Sequence, residues 1–237
     1  MRIKKLSSLS RFCAAALLLS PCSNGNAASA SYVLVTQTRP ESPDKFFVHE
    51  RSGYALCAAV ARNQNIAVKP FPVLPRDFVS KRTTYASDGK RTVFREVAWK
   101  IDSRKGQAQQ GCEMRLASES TTAVTSDGQE RVADQREDGK VHVGTAQPAP
   151  QEPVRASLLG LYTVPKTVRG VAVKCSASGS CIVDPALALV AHGVRPAQAA
   201  SRIDDTRTYG TALILEPVSL TVGKPVDPSL FVLEKTE

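Results

Sequence analysis

Histidine is scarce: only His49, His142 and His192 occur among 237 residues, and none is followed by a metal-type partner three or four positions on. A zinc site needs about three or four Cys or His ligands at recognisable spacing, so the sequence implies no metal centre. The GxGxxG and Walker A phosphate loops and the CxxC redox motif are missing as well, which removes the nucleotide-binding and thiol-redox classes that carry them. The one approach to a nucleophile elbow, Ser176-Ala177-Ser178-Gly179-Ser180, lacks the first glycine of G-x-S-x-G and has no helical pattern after it. It reads as a hairpin loop. Glu96, Asp102 and Glu113 fall on expected strands or turns, where a solvated carboxylate is the ordinary state. No catalytic residue and no cofactor follow from the sequence.

Long apolar runs are lacking too. A membrane-spanning helix needs roughly 20 apolar residues, and Phe12 to Leu19 is far shorter, so no transmembrane segment is expected in the mature chain. That run follows Arg2, Lys4, Lys5 and Arg11 with no acidic residue, and precedes a small, polar stretch from Pro21 to Ala30 that ends Ala28-Ser29-Ala30. These three zones make residues 1–30 a secretory signal peptide. Cleavage is expected after Ala28 or Ala30, with Ala27 as a third position. Leu19-Ser20-Pro21-Cys22 resembles the lipobox of bacterial lipoproteins, in which Cys22 would carry the lipid. That pattern has Gly or Ala where Pro21 stands, and proline, with no N–H and a fixed φ, suits a scissile bond poorly. The expectation is a soluble periplasmic protein, with a form anchored through Cys22 as the alternative.

Charge of one sign is in slight excess only. The chain has 31 basic and 22 acidic residues; four of the basic ones lie in the leader, leaving 27 against 22 and a mature balance of +5. Nucleic-acid binders gather Lys and Arg into patches or stripes. Here the signs alternate, as in Arg131-Val132-Ala133-Asp134-Gln135-Arg136-Glu137-Asp138, so no nucleic-acid partner is expected.

What remains is informative. Cys13 and Cys22 fall in the leader, which leaves Cys57, Cys112, Cys175 and Cys181. Four cysteines in an exported chain read as two disulfides, with three connectivities open. Five residues between Cys175 and Cys181 suit a hairpin that holds facing Cα atoms roughly 5.5 Å apart, as a bridge requires. That pairing leaves Cys57–Cys112 to fasten the early segment to the middle of the chain.

The mature chain, 31–237, reads as one mainly β domain. Tyr32 to Thr36 is a first strand, and Arg39 to Lys45 a polar connection. In Gly53 to Ala61 helix and buried strand compete, and the prolines of Lys69 to Arg76 impose an extended loop. Asp88-Gly89, Asp127-Gly128 and Asp138-Gly139 mark hairpin turns, the first of type I′. Between them Val93, Val97, Trp99 and Ile101 alternate, then Cys112, Met114 and Leu116, then Val141 and Val143 around His142. Thr145 to Pro153 is a Pro/Ala linker, which either separates two lobes or crosses one edge of a single sheet. Val154 to Tyr162 has the spacing of a short amphipathic helix; Val171, Val173 and Cys175 alternate again, Ala186 to Val190 is apolar, and the chain closes on Leu213 to Leu215, then Val218, Leu220 and Val222.

Two stretches carry a family resemblance. One is the closing order from Val168–Cys175 through Cys181-Ile182-Val183 to Val226-Asp227-Pro228-Ser229-Leu230-Phe231; the other is the hairpin Asp88 to Leu116 with its DGKRTVFREVAWKIDSRKG. Together they resemble periplasmic lipoprotein-carrier half-barrels, the LolA-like and LppX-like proteins. The usual proline after the terminal Phe is replaced, since Val232 follows Phe231. The resemblance implies a curved antiparallel sheet, half-barrel-like, with one or two short helices on its concave side. It also implies a lipid or lipoprotein as partner, and no catalysis. The residues expected to face the ligand are Val93, Val97, Trp99, Ile101, Met114, Leu116, Val171, Val173, Leu213 and Leu215. The competing expectation is an assembly factor that binds other envelope proteins through sheet edges and has a filled core; a secreted hydrolase ranks below both. A cavity of several hundred Å³ separates the first two.

Overall fold

The computed structural model describes residues 31–103, 106–136, 138–149, 160–183 and 198–233. The expected leader at 1–30, most of the helix expected at 154–162, the apolar run 186–190 and His192 lie outside the described residues.

Among the described residues, twelve strands form one antiparallel sheet that does not close. They are β1 (Tyr32–Pro40), β2 (Lys81–Ser87), β3 (Arg91–Asp102), β4 (Arg115–Ser126), β5 (Gln129–Gln135), β6 (Val141–Val143), β7 (Gln147–Pro148), β8 (Val164–Val168), β9 (Val171–Cys175), β10 (Cys181–Ile182), β11 (Gln198–Ile203) and β12 (Leu213–Val222). The order across the sheet is β6-β5-β4-β3-β2-β1-β12-β11-β10-β9-β8, with β7 also paired to β5. Strands β1 and β12 are therefore neighbours at the centre, and the meander runs outward from them on both sides. Helix α1 (Val48–Asn63) resolves the ambiguity of the Ala-rich segment, and a one-turn helix, α2 (Thr206–Tyr209), precedes β12. The result is the half-barrel-like, mainly β architecture expected. No described helix is long and apolar enough to cross a membrane.

Turn chemistry explains where the strands stop, and it corrects several expectations. Asp127 and Gly128 both have positive φ, 51° and 72°, as a two-residue type I′ turn requires. At Asp88-Gly89 only Gly89 has positive φ. There the Asp88 carboxylate accepts hydrogen bonds from the Lys90 and Arg91 N–H groups, so the turn is held by a side chain instead of a type I′ backbone. The expected strand from Val168 to Cys175 is broken by Arg169 and Gly170, both at positive φ, into the β8–β9 hairpin. Cys112 and Met114 precede β4, because Gly111 and Cys112 turn the backbone at φ 70° and 56°. The two closing strands are one: β12 accommodates Pro217 at a register shift opposite Val35 and Thr36, the position at which a strand tolerates a residue with no N–H. At the other end, β1 continues through Arg39 and Pro40, beyond the expected polar connection.

Residues opposite each other in an antiparallel ladder share a face, so the register sorts the side chains. Leu34, Tyr85, Phe94, Ala123 and Val132 form one apolar row on the concave face. The β9 residues Val171, Val173 and Cys175 pack with Tyr32, Leu34 and Val183 in a core cluster, which fills one end of that face. Val93 and Ala86 project from the opposite face, where the C-terminal turn covers them with Phe231. Burial of such apolar surface stabilises at roughly 25 cal/mol per Å².

Both expected disulfides are present, Cys57–Cys112 with Cα atoms 5.9 Å apart and Cys175–Cys181 with Cα atoms 3.9 Å apart. The second pair is closer than the hairpin estimate because the two cysteines face each other directly across β9 and β10. Non-hydrogen-bonded pairs are the narrow ones in an antiparallel ladder, and the hydrogen bond from Ser176 N–H to the Ser180 carbonyl is the next rung. Two disulfides fit an oxidising, extracytoplasmic environment.

Glu216 ties the centre of the sheet to the β8–β9 turn. Its carboxylate accepts from Gln37 Nε2 at 2.9 Å, from Arg39 Nε at 3.1 Å and from Arg169 Nη1 at 2.5 Å. Burial alone would raise its pKa, but the Gln37 hydrogen bond and the Arg39 and Arg169 charges outweigh it and hold the group below the ordinary value. A carboxylate lowered on folding stabilises the fold above its unfolded pKa, about 4.3, and that contribution fades as pH falls through the folded value. Glu216→Gln is expected to cost about 1 kcal/mol at pH 7. The gap from wild type, read from urea midpoints, should shrink between pH 5 and pH 3; a constant gap would exclude this account.

Candidate functional site

A cavity of about 890 Å³ lies on the concave face, between the sheet and the two segments that carry α1 and α2. Its floor is built by register. One row crosses the sheet as Thr36, Thr83, Glu96, Thr121 and Asp134; the next is Leu215, Thr38, Lys81, Ala98 and Glu119. The floor is divided. Toward β11 and β12 it is apolar, with Ile203, Leu213 and Leu215; toward β2 and β3 it carries the charged and hydroxyl groups Lys81, Thr83, Glu96 and Lys100, set among Tyr85, Phe94, Ala98 and Trp99.

The wall comes from a phenylalanine doublet. Phe46 and Phe47 are both buried, with ring centroids 4.3 Å apart, and Phe78 lies 6.0 Å from Phe46 and 6.3 Å from Phe47. Tyr209 of α2 stacks on Phe46 at 6.4 Å. Two consecutive side chains in an extended segment point to opposite sides. Phe47 escapes that rule by adopting the left-handed conformation, φ 63°, where α1 begins. A bulky side chain rarely takes that conformation, and here it turns both rings inward.

The electrostatics of the polar half are balanced. Lys81 Nζ lies 3.2 Å from Glu96 Oε2, and Lys100 pairs with Glu119. Tyr85, on the floor beside Phe94 at 5.4 Å, has its pKa pushed up to about 12 by burial and then by the Glu96 charge. Its hydroxyl stays protonated at neutral pH. Thr36, Thr38 and Thr83 are all buried as residues and line the cavity, and their hydroxyls make no hydrogen bond to another described residue. Among the described residues no group of three or more His, Cys, Asp or Glu is placed to hold a metal ion.

Of the ten residues expected to face a ligand, Trp99, Leu213 and Leu215 line this cavity. Ile101 packs with Trp99 against the phenylalanine cluster. Val93 is on the other face under Phe231, and Val97 is not part of the cavity lining. Val171 and Val173 are buried in the Tyr32–Leu34 core. Met114 precedes β4, and Leu116 is an exposed residue of that strand. The alternation in β3 therefore spans two environments, with Val93 under the C-terminal turn and Trp99 at the cavity. The cavity face of the same strand, Phe94, Glu96, Ala98 and Lys100, is too mixed to read as an interior. Sequence reasoning missed Phe46, Phe47, Tyr85, Tyr209 and the three threonines. The Phe-Phe doublet just before a helix was the one available signal.

No protein family, curated protein or solved structure matches the chain.

Proposed function

We propose that this is an exported protein of the bacterial envelope that holds an apolar or acylated ligand in its half-barrel, without catalysis. The observation that carries the reading is the cavity of about 890 Å³ on the concave face. Its size is in the range of small-molecule sites, about 300–1,000 Å³, whereas an assembly factor working through its edges would need no such space. Phe46, Phe47, Tyr209, Ile203, Leu213 and Leu215 supply the apolar contact. Transport of a hydrocarbon chain through water requires such shielding, since each exposed methylene costs about 0.8 kcal/mol. The basic leader, the disulfides and the resemblance to lipoprotein-carrier half-barrels support a periplasmic location.

The protein purified from the envelope under native conditions is expected to release lipid on organic extraction. Trp99, the single tryptophan and part of the cavity lining, should report titration with amphiphiles by a change in fluorescence. Absence of both signals would remove the carrier reading and leave the assembly-factor reading.

A further inference from the structure

We infer that the cavity selects amphiphiles with an uncharged, hydroxyl- or amide-bearing head, over anionic, cationic or zwitterionic heads on the same chain. This rests on the carrier reading and narrows its ligand class.

The charged groups of the lining are two lysines, Lys81 and Lys100, and two glutamates, Glu50 and Glu96, so its formal charge is zero with His49 neutral. Both lysines already have carboxylate partners, Lys81 in Glu96 and Lys100 in Glu119. An anionic head at the polar half would come up against Glu96, and a cationic one against Lys81. A zwitterion would have to replace the existing ion pairs, giving up as many charge-assisted bonds as it gained. On the floor the groups left to engage a ligand are neutral, the hydroxyls of Thr36, Thr38, Thr83 and Tyr85, while Glu50 belongs to the α1 wall. A hydroxyl both donates and accepts.

Side-chain polar atoms enclosed within proteins are nearly always hydrogen-bonded, and the described residues follow the rule closely. Ser201 Oγ is the one fully enclosed side-chain polar atom among them without a partner. The cavity threonines thus stand out as polar groups committed to no protein acceptor, in adjacent rows of the floor. Thr36 faces Thr83 directly across the β1–β2 ladder, and Thr38 is the next β1 residue on that face. The aliphatic part of the floor begins at once on the other side of β1, at Leu215 and Leu213 opposite Thr38 and Pro40. A ligand with its head on the threonines would lay its chain toward Leu213, Ile203 and the phenylalanines. A site built from hydrogen-bonding groups discriminates against ligands that leave those groups unpaired.

The test uses four amphiphiles with one dodecyl chain, each below its micellar concentration: dodecyl glucoside, dodecylphosphocholine, dodecyl sulfate and dodecyltrimethylammonium. Displacement of N-phenyl-1-naphthylamine from the mature protein should give the glucoside about ten-fold higher affinity than the other three. The double variant Thr36→Val/Thr83→Val keeps the side-chain shape and removes two hydroxyls. It should lose about ten-fold in glucoside affinity while binding the naphthylamine within about two-fold of wild type, which also shows that the cavity has survived. Equal affinity for the four heads, or preference for a charged or zwitterionic one, would overturn the inference and leave the carrier reading intact. Failure of all four and of the naphthylamine to bind wild type would remove both.

Discussion

Replacing Cys57 and Cys112 together by serine is expected to lower the unfolding free energy by about 4 kcal/mol, the value that loop-closure entropy assigns to a bridge of this span. The two cysteines are 55 residues apart in sequence. Their bond carries much of the attachment of α1, because the helix buries little. Ala58 and Ala61 are its buried residues, while Leu56 and Val60 are exposed. Its anchorage lies at the phenylalanine doublet where it starts, at the disulfide, and at the strut where Lys69 N–H donates to the Gly111 carbonyl at 2.8 Å. Cutting the bond leaves a helix with small contact area and an unconstrained unfolded chain. Chemical denaturation of the oxidised variant and wild type measures the difference. The variant should also bind naphthylamine more weakly, since α1 carries His49 and Glu50 of the cavity lining. Removing Cys175–Cys181, a separation of six, should cost about half as much, near 2 kcal/mol. A smaller loss from the long bridge than from the short one would contradict this assignment of what each bond does.

Alternation made the fold class legible and made the site hard to see, for the same reason. A strand with one uniformly apolar face announces burial, so β3 and β9 stood out through their valines. In β3 the announced residues divide, Val93 under Phe231 and Trp99 at the cavity, and in β9 the announced face closes over Tyr32 and Leu34. A face that meets a cavity need not be uniform. Thr36 and Thr38 in β1, and Thr83 in β2, look in sequence like the ordinary solvated half of an edge. Only the register, which sets Thr36 opposite Thr83 and Thr38 opposite Leu215 on the face that Leu34 and Tyr85 share, shows that they are interior. The helix α1 was ambiguous because its alanines fit a buried strand as well as a helix, and Phe47 begins it in a backbone state that no residue pattern advertises. The disulfides were readable for a different reason. A bridge between cysteines with five residues between them is a local geometric fact, and four cysteines leave one pair once that is fixed.

Gly210→Ala is expected to destabilise the protein by about 4 kcal/mol, from two costs that another glycine can separate. Gly210 ends α2 with φ 78°, a conformation that costs an L-residue roughly 1–2 kcal/mol. A Cβ at this position would also overlap the Lys45 carbonyl oxygen and lie 3.0 Å from Val48 Cβ. Those atoms are backbone and the branch point of a side chain, so neither can swing aside, and relief requires moving the chain. The moved segment, Lys45 to Val48, contains Phe46 and Phe47, the wall of the cavity. Gly170 gives the reference: its φ is 80°, but a Cβ there meets nothing within 4 Å. Gly170→Ala should therefore show the conformational cost alone, roughly 1–2 kcal/mol, with naphthylamine binding unchanged. The excess in Gly210→Ala measures the contact between α2 and the start of α1, and it should come with weakened binding. Equal destabilisation by the two substitutions would mean that the Lys45 segment yields freely, and that the cavity wall is not held by this contact.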